Sequence, residues 1–212
     1  MRWKTLSSRV IVDDQWLRLS ADRCQRPNGS TIEPYYRIHG TDWVNVCPIF
    51  PDGTLVLVRE YRHGYGDVLL GLPGGLIDAD DATAAIAARR ELHEETGIHR
   101  ILALVQTGSM IVNPSTHTNV GHSFLALCDP DGRGDLGTTE PDIRLVAVDY
   151  LDTIGQVISG GALFSGYDAA SLLRALFAVL ASGDRRFEAL RLRAAEMFQQ
   201  RAGLANYPEM MS

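Results

Sequence analysis

The sequence predicts an α/β domain with a β-rich N-terminal extension and C-terminal helices. Three observations lead there. Apolar runs bounded by glycine, proline and asparagine turns recur as far as residue 148. A helix-length segment interrupts them at residues 80–96, and helical segments close the chain. Strands with helices on both sides in sequence build a layered sheet rather than a bundle. A chain of 212 residues suits one such domain with appendages and can bury a sizeable core.

Taken in order, residues 16–26 alternate loosely and stop at the Pro27-Asn28-Gly29 turn, and residues 31–38 follow as a strand. Residues 43–50 form a strand, Pro51-Asp52-Gly53 a turn, and residues 54–60 another strand. Residues 64–75 are glycine-rich and predict a loop over a site. Residues 80–96 predict a helix, capped by Asp80 or Asp81 and stopped by Gly97. Residues 101–107 and 122–128 are apolar strands flanking an exposed polar loop at 113–121. Residues 129–139 are turn-rich and 143–148 a strand. Residues 151–159, 167–181 and 185–201 read as helices, the last amphipathic. The expected divisions are 1–42 for the extension, 43–182 for the main domain and 183–212 for a helical appendage.

A hydrophobic fraction of 45% with 22% charged residues is ordinary for a globular chain and excludes a disordered one. A net charge of −6 argues against nonspecific nucleic acid or an anionic membrane as partner. A nucleotide substrate stays open, because a bound metal reverses the local sign. Cys24, Cys47 and Cys128 are an odd set without CxxC spacing, which predicts buried free thiols in a reducing compartment. The start, MRWKTLSSR, lacks the apolar stretch of a secretory signal, and no apolar run approaches the ~20 residues of a membrane span. The expected location is the cytoplasm.

The segment RELHEETGI carries the chemistry. Glu91, Glu94 and Glu95 stand at i, i+3 and i+4, which places three carboxylates on one helix flank. Like charges so clustered repel, and a bound cation reverses the effect. The alternative is a solvated face neutralised by Arg89 or Arg90. Ala85, Ala88 and Leu92 share the core-facing side, while Ala84 and Ala87 fall on the glutamate flank and leave room there for a ligand. Carboxylate oxygens suit Mg²⁺ or Mn²⁺, and Mg²⁺ is usually shared with substrate phosphates.

Gly75, Asp81 and the run from Arg90 to Ile98 together resemble the Nudix box: Gly, five residues, Glu, seven residues, then Arg-Glu-apolar-x-Glu-Glu-x-Gly-apolar. The second half matches completely. In the first half either Asp81 replaces the Glu with one residue inserted before Arg90, or Ala82 occupies the Glu position. That Glu pairs with the box arginine in the family. Val58-Arg59-Glu60-Tyr61-Arg62, Leu72-Pro73-Gly74-Gly75, the Pro-Asn-Gly turn, the stretch from Asn113 to Ala126 and the loop at 139–143 resemble the ADP-ribose pyrophosphatase branch. The likeness covers roughly residues 3–180.

The resemblance implies an α/β/α sandwich around a mixed sheet and a homodimer formed through the N-terminal extension. It implies metal-dependent hydrolysis of a nucleoside diphosphate linked to another group, by water attack on phosphorus. Glu91, Glu94, Glu95 and the Gly74 carbonyl would hold Mg²⁺ or Mn²⁺. Arg62, and less strongly Arg37, would bind substrate. Glu140 is the expected general base, with Asp142, His117 and His122 as alternatives. ADP-ribose or a related nucleotide sugar is the expected substrate. The competing readings are a Nudix hydrolase of a dNTP, dinucleotide or cofactor, and a weakly catalytic nucleotide-sugar-binding module.

Overall fold

The computed structural model describes residues 1–138, 140–161 and 164–203. The last nine residues of the expected appendage, and Thr139 of the acidic loop, lie outside the described residues. The contacts divide the chain into two compact units. One joins residues 1–43 to residues 109–121, and the other takes 44–108 and 122–212.

The first unit is a three-stranded antiparallel sheet of β1 (Lys4–Asp13), β2 (Arg18–Gln25) and β3 (Thr31–His39), in that order. Asp14 closes the β1–β2 turn by accepting from the Trp16 and Leu17 amides. Asn28 and Gly29, at φ 84°, close the β2–β3 turn that the sequence predicts. In β2 the period-two pattern buries Ser20, Asp22 and Cys24. The buried Asp22 carboxylate is paired with Arg37 at 3.0 Å and accepts from Ser8 and Ser20. Residues 113–121 join this unit through Ile38, whose backbone bonds to Thr116 and Thr118.

The second unit holds a six-stranded sheet. Its order is β6 (Asp67–Gly71), β5 (Thr54–Arg62), β4 (Trp43–Ile49), β8 (Gly121–Cys128) and β7 (Ile101–Met110), with β9 (Arg144–Asp149) on β5's other edge. Alternation along β4 explains the layers. Val44 and Val46 pack with Ala87, Ala88 and Leu92 of α1 (Ala84–Thr96). Cys47 and Ile49 pack with α2 (Tyr150–Ser159), α3 (Gly166–Ala181) and α4 (Glu188–Gly203) through Tyr150, Ile154, Leu172, Leu176 and Leu190. Helices on both faces make the expected α/β/α sandwich. All three cysteines are free and buried. Among the described residues no helix is long and apolar enough to cross a membrane.

Three sequence expectations need correction. The glycine-rich segment at 64–75 is not all loop. Val68, Leu69 and Leu70 give it enough apolar character to pair with β5 as β6, through a turn at residues 63–66. The α1 cap is Thr83, whose hydroxyl accepts from the Ile86 amide, and not Asp80 or Asp81. The Asp81 carboxylate is committed elsewhere, to Arg90 and to the Asp78 amide. Ala87 leaves no room for a ligand, because it is fully buried in the core.

An ion pair ties the turn after β4 to the short 3-10 turn Pro130–Asp135. Arg133 bonds both Asp52 oxygens at 2.9 Å and lies over the Phe50 ring. That pairing, with the Thr54 amide, holds the Asp52 carboxyl down to about 2. A depressed carboxylate contributes stability above its ordinary range near 3.8 and loses it as pH falls through about 2. The Asp52 side chain is 56% exposed, so screening keeps the contribution below about 1 kcal/mol. Asp52→Asn is expected to lower unfolding free energy by that small amount at pH 7 and by nothing below pH 2. Urea titrations at both pH values measure it, and an equal loss at both removes the electrostatic account.

Candidate active site

Helix α1 ends at Gly97, in the left-handed conformation at φ 74°, and its last two turns carry Glu91, Glu94 and Glu95. Opposite them runs the segment that follows β6. Pro73 and Gly75 carbonyls accept from the Val46 and Val44 amides, so this segment lies alongside β4. Successive residues of an extended chain point their backbone groups to opposite sides. Gly74, between those two, turns its N–H away from β4. Its N–H donates to Glu95 Oε2 at 2.9 Å.

Two glycines are required by close approach. A Cβ on Gly74 would stand 2.2 Å from the Val44 carbonyl oxygen, and one on Gly75 would stand 2.5 Å from Glu91 Oε1. The Leu-Pro-Gly-Gly segment is thus pressed between β4 and the helix carboxylates.

The electrostatics are uneven. Glu95 is buried, and burial first, then the charges of Glu91 and Glu60, push its carboxyl up to about 7 against the Gly74 N–H and Arg62. Burial likewise raises Glu91, against the pull of Arg90. Arg90 is the local counter-charge. Its guanidinium bonds Glu91 at 2.8 Å, Glu94 at 3.0 Å, Asp81 at 2.8 Å and the Leu76 carbonyl at 2.9 Å. Asp81 is therefore the acidic partner of the box arginine, which decides between the two alignments open at the sequence level.

The structure sets Glu95 against Gly74 and Glu91 against Gly75, and Arg90 links Glu91 to Glu94. Arg62 is on β5, exposed, paired with Glu60 at 2.9 Å, and its charge reaches Glu95. Arg37 belongs to the other unit, where Asp22 engages it. Glu140 is exposed, and its amide donates to the Thr138 hydroxyl. Its carboxylate is not among the principal charges acting on Glu91 or Glu95. His117 sits in the first unit beside Thr116, and His122 near Gln106 at the start of β8. Sequence reasoning assigned no role to Glu60. The available signal was its place two residues before Arg62 on a strand, which puts both on one face.

Comparison with known proteins decides the family. Residues 42–157 match the NUDIX domain, and residues 3–38 match the Nucleoside diphosphate sugar hydrolase N-terminal domain. The chain belongs to the Nudix family. It is 31% identical over 199 residues to a CMP-5'-(N-acetyl-N-hydroxy-3-aminopropyl)phosphonate hydrolase of Streptomyces rubellomurinus, spanning 88% of this chain and 86% of that protein. An ADP-ribose pyrophosphatase of Mycobacterium tuberculosis is 30% identical over 96 residues, 45% of this chain and 46% of that protein. The crystal structure of an ADP compounds hydrolase superposes with a TM-score of 0.72 at 22% identity, over 86% of this chain and 97% of that one. That likeness shows the fold alone. The chain is a Nudix pyrophosphohydrolase, acting on a nucleoside diphosphate linked to a second group.

Nudix hydrolases typically use a divalent metal ion. Among the described residues no three acidic, histidine or cysteine side chains converge as a ready metal cage. Arg90 bonds an oxygen of each of Glu91 and Glu94. The donor set still fits a hard divalent cation. Burial disfavours the charged forms of Glu95 and Glu91, oxygen donors that a hard cation would favour as carboxylates, and Gly74 lies against Glu95.

Proposed function

We propose that this Nudix enzyme hydrolyses ADP-ribose or a related nucleotide sugar. In this reading Glu91, Glu94, Glu95 and the Gly74 carbonyl hold Mg²⁺ or Mn²⁺. The observation that carries it is the buried Glu95, which accepts from the Gly74 N–H and feels the charges of Glu91 and Glu60. The match of residues 3–38 to the nucleoside diphosphate sugar hydrolase N-terminal domain supports the substrate class. The ADP-ribose pyrophosphatase relative supports the particular sugar. A bound divalent ion would neutralise the diphosphate and lower the pKa of the attacking water.

The chain's own residues do the rest. Arg62 exchanges its Glu60 partner for a substrate phosphate or ribose, a task its planar fork suits. Arg37 is the lesser candidate for the same contact. Glu140, exposed ahead of β9, is the proposed general base. The unit carrying residues 1–43 exposes Leu6, Val10 and Ile11 along β1 and Trp3 just before it, which supports a homodimer through the extension at 1–42. The hydrolase domain is assigned to 43–182 and the helical appendage to 183–212. The buried free thiols support a cytoplasmic location.

A second reading rests on the Streptomyces relative, which matches over most of both chains. It makes the substrate a CMP-linked phosphonate. A panel of ADP-ribose, UDP-glucose, a CMP-phosphonate and dATP with Mg²⁺, read by chromatography of the nucleotide products, separates the readings. ADP-ribose is expected to show the highest kcat/KM, and preference for the CMP compound would replace the first reading with the second. Light scattering over a dilution series checks the dimer, which a monomer mass at every concentration rules out.

A further inference from the structure

Behind the Leu-Pro-Gly-Gly segment lies a buried polar group that the chemistry above does not use. Asn45, on β4, is 1% exposed. Its neighbours Val44 and Val46 face α1, so its side chain faces the α3 side of the sheet. There Asn45 Nδ2 donates to Asp168 Oδ1 at 3.0 Å, and Asn45 Oδ1 is buried with no partner. Asp168, in the first turn of α3, also accepts from the Ser165 hydroxyl at 2.8 Å and from the Leu72 backbone N–H. An apolar residue would fill the Asn45 position without burying an unsatisfied acceptor, so packing alone does not account for this side chain.

These contacts converge on the segment that supplies Gly74. Leu72 is held through its N–H by Asp168. Gly71 leaves only 3.3 Å between an added Cβ and Asp168 Oδ2. Gly74 lies against Asn45 itself, where an added Cβ would be 2.7 Å from the Asn45 Cα. One residue pair therefore grips β4, α3 and the glycine segment at once. On the other side of that segment the Gly74 N–H meets Glu95.

We propose that Asn45 and Asp168 are positioning residues: the buried Asn45–Asp168 hydrogen bond, clamped on Leu72 and Gly74, sets the distance between the Gly74 backbone and Glu95 and so tunes divalent-cation affinity. The proposal rests on the reading that Glu91, Glu95 and Gly74 hold the cation.

The test is calorimetric titration of Mn²⁺ into the metal-free full-length protein, with thermal midpoints measured alongside. Wild type, Asn45→Val, Asp168→Ala, Asp168→Asn and the site control Glu95→Gln are compared. Outer residues that orient metal ligands typically govern affinity by about 10–100-fold, so Asn45→Val and Asp168→Ala are expected to raise the Mn²⁺ Kd by that factor. Asp168→Asn keeps an acceptor for the Leu72 N–H and a donor toward Ser165, and is expected to return within about threefold of wild type. Wild-type Kd values in Asn45→Val and Asp168→Ala, with only the thermal midpoint lowered, would overturn the proposal and leave a structural pair. So would an Asp168→Asn variant as weak as Asp168→Ala. If Asp168→Ala does not fold, Asn45→Val, which keeps side-chain volume and strand propensity, decides the outcome. Failure of wild type itself to bind Mn²⁺ overturns the cation site and this proposal together, whereas binding that is lost only in Glu95→Gln overturns this proposal alone.

Discussion

Glu95→Gln is expected to lower kcat by more than about 100-fold and, in the metal-free protein, to raise stability at pH 8. The activity loss exceeds the 10–100-fold typical of residues that merely orient ligands, because the change removes a proposed ligand's charge. The stability gain follows from linkage. The Glu95 carboxyl has a folded value near 7 against an ordinary 4.5, with burial as the main cause. Below 4.5 the group is neutral whether folded or not, and it costs nothing. As pH rises from 4.5 through 7 the unfolded chain ionises first, and the folded state is progressively disfavoured. Above 7 the full penalty stands, at most about 3 kcal/mol. Glutamine removes it, which corresponds to a thermal midpoint higher by up to roughly 10 °C. Added Mg²⁺ is expected to reverse the order by stabilising wild type and not the variant. Melting curves at pH 5 and pH 8, with and without Mg²⁺, measure this. A variant less stable than wild type at pH 8 in the absence of metal would refute the electrostatic reading of Glu95.

Arg90→Ala is expected to be the most destabilising surface-accessible change on α1. It leaves the half-buried Glu91 without its cation and removes charge-assisted bonds to Asp81, Glu94 and the Leu76 carbonyl. Loss of several such bonds costs about 2–4 kcal/mol, or roughly 5–10 °C in thermal midpoint. Arg90→Lys should recover less than half of it, since an ammonium cannot reproduce the fork that spans Asp81 and Glu91. Mg²⁺ should rescue Arg90→Ala more than wild type, because a cation supplies the missing charge. Equal metal-induced shifts in both proteins would show that Arg90 and the metal do not compete for Glu91 and Glu94.

Part of this site was legible in the sequence. The i, i+3, i+4 spacing of the glutamates and the glycine stop are properties of one helix, and backbone geometry fixes them locally. The first half of the box was ambiguous because a one-residue shift leaves the pattern readable either way. Only the folded position of the Asp81 carboxylate, against Arg90, separates the alternatives. The helix cap is likewise decided by tertiary position: Asp81 is turned to Arg90 and the Asp78 amide, and the Thr83 hydroxyl reaches the Ile86 amide instead. Residues 64–75 read as a loop because glycine content outweighed a five-residue strand, whose pairing with β5 no local signal displays.

By itself, then, the sequence determined the elements whose causes are local: strand alternation, turn residues, and the acidic flank of α1 that marks the chain as a Nudix hydrolase. The tertiary structure decided which charges meet. Glu60 and Arg62 come to act on Glu95, and Asn45 comes to hold Asp168, because sheet order and helix packing bring together residues far apart in the chain. Burial then turns those meetings into chemistry. A carboxylate is ordinary in water, but deprived of it beside other carboxylates it favours a proton or a metal ion, and no spacing rule along the chain reports that loss of solvent.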